Sequence, residues 1–114
     1  MAKDDYFVIV YQILSYLYKC LKEGIRIDER LIRYDSPYIG INEKYWCYIL
    51  WHMQQEKLIE GVTFLDDIAN GIYYPDEVDR CRITPTGIGC LCDNSFMEKA
   101  KRFFKDAKDI IPFV

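Results

Sequence analysis

The residues of this 114-residue chain with the greatest chemical potential are a single histidine, five cysteines and a crowd of acids between Asp66 and Asp79. His52 is the first candidate, with Cys47 five positions before it. On a helix that spacing turns the two side chains about 140° apart, too far for a thiolate–imidazole pair. His52 then reads as a surface histidine on a helix flank. Cys90 and Cys92 stand two apart, about 200° round a helix, and cannot face one metal. A zinc site drawn from Cys81, Cys90, Cys92 and His52 would need an irregular backbone. The acids Asp66, Asp67, Asp76, Glu77 and Asp79 lack the spacing and glycine of a calcium loop, and read as a solvated loop. There is no phosphate loop, nucleophile elbow or dinucleotide fingerprint. The expectation is a protein that is not an enzyme, with no catalytic residue, metal or cofactor.

The stretch from Asn42 to Gly61 positions His52 and organises the rest. At helical spacing Trp46, Ile49, Leu50 and Met53 share one arc, while Lys44, Tyr48, Trp51 and Gln55 share the opposite one. Leu58-Ile59 and then Gly61 read as a helix running into a strand. Asn42 is a good N-cap.

Length bounds the chain to one domain. With 51% hydrophobic and 16% aromatic residues it can bury a core. Asp4 and Asp5 stand where a signal peptide would carry positive charge, and five cysteines without framework spacing read as reduced thiols. A cytoplasmic protein is expected. Tyr6 to Leu21 is interrupted by Gln12, Ser15 and Lys19, so no membrane span is expected.

Asp4 to Glu23 reads as a first helix ending before Gly24. Its main face is Phe7, Val10, Leu14, Leu17, Tyr18 and Leu21. Tyr6, Ile9, Ile13, Tyr16 and Cys20 widen the apolar arc beyond half the circumference, so it needs cover on two sides. Ile25 and Ile27 alternate like a short strand, and Asp28 is placed to cap a short helix through Arg33. Ser36-Pro37 breaks any helix there. Val62 to Leu65 is strand-like and Val78 to Ile83 is its expected partner, with a long tip between them holding Asn70-Gly71. Thr84-Pro85 starts a fourth helix, and Ser95-Phe96-Met97-Glu98 is a capping box for a last one. On that helix Phe96, Ala100, Phe103, Phe104, Ala107, Ile110 and Ile111 share a face. The fold expected is α+β and mostly helical: a winged helix-turn-helix over 1–94 with a two-stranded wing. An added C-terminal amphipathic helix over 95–114 would pack on the domain or on a dimer partner.

Leu58-Ile59-Glu60-Gly61-Val62, then Ile83-Thr84-Pro85-Thr86-Gly87, then Asp93-Asn94-Ser95-Phe96-Met97 and a lysine-rich tail ending Ile110-Ile111-Pro112 together resemble the YjcQ family, small proteins of Firmicutes and their phages. The resemblance spans roughly residues 1 to 112. It implies a winged-helix fold and a bacterial or phage cytoplasmic setting, and carries no activity or site residues across.

Two uses of such a fold compete. A DNA-associated transcriptional regulator would set the third helix in the major groove of double-stranded DNA and the wing on a phosphate backbone. Its contact residues would be Lys44, Tyr48, Trp51, His52 and Gln55, with Arg80 and Arg82 on the wing. The alternative is a protein-binding or dimerisation module that has lost DNA binding. The net charge of -3 favours the alternative, as does a stretch 62–83 with five acids against two arginines. Tyr48 and Trp51 suit a protein partner better than a groove. A homodimer would use the two terminal helices through Tyr6, Ile9, Ile13, Phe103, Phe104 and Ile110.

Overall fold

A computed structural model of the chain describes residues 2–105. Ile110, and with it the end of the expected last helix, lies outside the described residues. The described chain holds four helices and two small antiparallel ladders, an α+β arrangement that is mostly helical. No described helix is long and apolar enough to cross a membrane.

Helix α1 (Tyr6–Glu23) is the centre of the molecule. It ends where Gly24 adopts φ +65°, a conformation that costs glycine little. Val8, Ile9, Ile13 and Leu14 are completely buried, and Val10, Gln12, Tyr16, Leu17 and Cys20 nearly so. The expected two-sided cover comes from within the chain. Helix α4 (Ser95–Lys105) lies on the second side, with Phe96 stacked on Phe7 at 4.3 Å and Phe104 on Tyr11 at 5.6 Å.

Between α1 and the next helix, the expected strand at Ile25 and Ile27 is unpaired. The expected helix through Arg33 is a single 3-10 turn, Glu29–Leu31, capped by the Asp28 carboxylate. A winged helix has a full helix at this point. Side chains from α1 and from the helix that follows supply the backbone partners that a helix here would have provided. The Tyr16 hydroxyl accepts from the Asp28 N–H at 2.8 Å, Gln12 Nε2 donates to the Tyr38 carbonyl, and Trp46 Nε1 donates to the Ile32 carbonyl at 2.8 Å.

Helix α2 (Glu43–Gln55) starts on Asn42, whose side chain accepts from the Tyr45 N–H at 2.9 Å. It buries Trp46, Ile49, Leu50 and Met53, as the spacing predicts, and Cys47 with them. It stops three residues short of Leu58, where Lys57 turns the backbone at φ +66°.

The strand pairing differs from the expected single wing. Strand β1 (Ile59–Glu60) pairs with β4 (Arg82–Ile83), and β2 (Thr63–Asp67) pairs with β3 (Ile72–Asp76) in a separate hairpin. Thr63–Leu65 of the expected strand therefore meets 74–76 instead of 78–83, because the chain reverses early. Asn70 Nδ2 donates to Asp67 Oδ2 at 2.8 Å, and Gly71 takes φ +64°. Gly61 at φ +94° sets the bend between the ladders, since a Cβ there would strike the Arg80 carbonyl oxygen. Gln54 braces the bend, donating to the Val62 carbonyl at 2.8 Å and accepting from its N–H.

Helix α3 (Pro85–Asp93) begins on Thr84, whose hydroxyl accepts from the Gly87 N–H and donates to the Lys57 carbonyl. The cap of α4 is Asn94, one residue before the expected Ser95. Its Oδ1 accepts from the N–H groups of Phe96 and Met97.

Candidate interaction surface

The outward face of α2 is where the proposed contact residues lie, and the hairpin folds back along it. Trp51 packs edge-on against Tyr73 of β3 at 4.7 Å and lies 6.2 Å from Phe64 of β2. It is consequently half-buried, neither in the interior nor free. Between helix and hairpin runs an open cleft of about 380 Å³, lined by Lys44, Cys47, Tyr48, Trp51, His52, Gly71, Ile72 and Tyr73. Tyr48, 56% exposed, lies with its ring 4.3 Å from that of His52.

The rings continue beyond the cleft. Tyr48 meets Tyr6 at the start of α1 (6.5 Å), Tyr6 meets Phe7, and Phe7 stacks on Phe96 at the start of α4. An unbroken series of aromatic neighbours thus crosses from the hairpin to the α3–α4 junction.

Of the expected contact residues, Lys44, Tyr48, Trp51 and His52 come together in this cleft. Gln55 is exposed at the end of α2 but does not line it. Arg80 and Arg82 do not line it either: Arg80 pairs with Glu77 at 3.3 Å and Arg82 with Glu60 at 3.5 Å. The expected dimer residues divide. Ile9 and Ile13 have no exposed surface and lie within the main core. Phe104 is buried on α1 and Phe103 is half-buried beside it. Tyr6 remains partly open and belongs to the ring series. Tyr73, Ile72 and Gly71 are missed from the sequence because they fall in the supposed wing tip. The apolar run Ile72-Tyr73-Tyr74 directly after the turn glycine Gly71 is the available signal.

Each of the six arginines has a carboxylate partner, the others being Arg26–Asp79, Arg30–Asp28, Arg33–Asp35 and Arg102–Glu98. Such exposed pairs add little stability, but they cancel local positive potential. The Arg30 guanidinium holds the Asp28 carboxyl below its usual range. Burial, then the nearby Glu43, pushes the Cys47 thiol up to about 11. Burial alone takes Cys81 to about 12. Both stay protonated near neutral pH, unsuited to nucleophilic work. Among the described residues no group of three or more His, Cys, Asp or Glu side chains could hold a metal ion.

These features define a small α+β domain whose described residues form an aromatic surface along α2 and pair each arginine with a carboxylate. The family model described as YjcQ protein matches residues 11–110, and the chain belongs to the YjcQ family. Comparison with curated proteins and with solved structures gives no match.

Proposed function

We propose that this chain is a non-enzymatic, protein-binding derivative of the winged helix, in which the groove-reading face has become an aromatic contact surface. One observation carries the reading: β3 lies along α2 with Tyr73 on Trp51, so the hairpin covers part of the face a major groove would need. The hairpin itself carries Asp66, Asp67 and Asp76, with Asp66 opposite Tyr73 in the ladder. A phosphate backbone meets repulsion there, and the arginines that could offset it are already neutralised. Exposed aromatics beside a cleft are what a protein partner desolvates.

The competing reading is a DNA-associated transcriptional regulator, and one titration separates the two. The chain is expected to show no binding to a random-sequence duplex at low salt, with Lys44→Ala making no difference. Duplex binding whose logarithm falls steeply with the logarithm of salt would retire the protein-contact reading. A photo-crosslinking residue at Tyr48 is expected to yield discrete protein adducts, and the same residue at exposed Asp35 to yield none.

A further inference from the structure

The charges on α2 specify an occupant for this surface. Lys44, Tyr48, His52 and Glu56 follow one another at four-residue spacing, so they form one stripe, and all four are exposed. The stripe reads cation, ring, ring, anion from the start of the helix to its end. Both charges stand where the helix dipole disfavours them, the lysine in the first turn and the glutamate at the C-cap. While every arginine has a carboxylate partner, neither Lys44 nor Glu56 has an ion-pair partner among the described residues.

We infer that the surface receives a second copy of this chain, α2 crossing antiparallel to α2 about a two-fold axis between Tyr48 and His52. This rests on the protein-contact reading above and names its partner. Antiparallel pairing sets Lys44 of each copy against Glu56 of the other, and Tyr48 against His52, twice over. A two-fold interface requires such self-complementarity. Parallel pairing would oppose like charges. The flanking rings, Tyr6 on one side and Trp51 with Tyr73 on the other, supply the apolar area that the ion pairs alone would not.

Sedimentation equilibrium tests the arrangement. The wild-type chain is expected to be in monomer–dimer equilibrium. Lys44→Glu or Glu56→Lys alone opposes like charges at both ends and should weaken association about tenfold or more, while the double swap should recover most of it. Tyr48→Ser, at an exposed position that leaves the fold intact by circular dichroism, should weaken it at least as much. A chain that remains monomeric up to about 1 mM overturns the inference. So does a dimer that the single swaps and Tyr48→Ser leave unchanged. Salt-dependent duplex binding overturns the underlying protein-contact reading instead, whatever the oligomeric state.

Discussion

Single side chains set the junctions of this fold. Thr84 caps α3 and ties it to the Lys57 carbonyl, and Gly87 lets that helix approach the Leu58 carbonyl, where a Cβ would collide. The Thr84 cap was legible in Thr84-Pro85, because capping is a local geometry, whereas the Gly87 approach is a tertiary contact that spacing does not show. The next cap falls one residue before the expected Ser95. Asn94 ends α3 and its Oδ1 starts α4, so Ser95 is the first helical residue and caps nothing. Asn94→Ala should therefore cost about 1 kcal/mol in urea unfolding, and Ser95→Ala only a few tenths. The reverse order would restore the Ser95 box.

At the scale of elements, the hairpin and α2 depend on each other. The hairpin's ladder is five residues long and its outer face exposes Leu65, so it has little stability alone. Its tip carries Ile68 at 86% exposure. Trp51 is the side chain against which Tyr73 and Phe64 close. Trp51→Ala should speed amide exchange across 63–76 about tenfold or more while α1 stays protected, measured by hydrogen–deuterium exchange. Unchanged protection would mean that the turn at Asp67 and Asn70 suffices by itself. The face α2 turns inward was readable from a 3.6-residue period. The partner of β2 was not, because a ladder this short takes its register from where the chain reverses.

For the whole molecule, α1 is the hub, and the other elements bury its two sides without help from another subunit. Buried protonated groups make this packing sensitive to alkali. The Cys81 thiol, ordinarily near 9.0, keeps its proton to about 12 inside the fold. The Tyr6 phenol, half-covered and close to Glu56, rises from 10.0 to about 12. Over that interval the unfolded chain binds fewer protons than the folded one, so stability is full below about pH 9 and falls as pH rises towards 12. The urea midpoint should hold steady from neutrality to that point and then decline. Cys81→Ala and Tyr6→Phe should each flatten the decline.

The sequence by itself determined the α+β composition, the inward face of α2, the caps at Asn42 and Thr84 and the acidic balance of 62–83. Each follows from spacing or charge within a few residues. Only the tertiary structure decided that a 3-10 turn stands in for a helix, that the hairpin closes on Trp51 and that α4 covers α1. Those outcomes depend on which distant surfaces bury each other, such as Phe96 on Phe7 and Tyr73 on Trp51. Apolar burial is non-directional, so the sequence shows that such faces need cover without naming what supplies it.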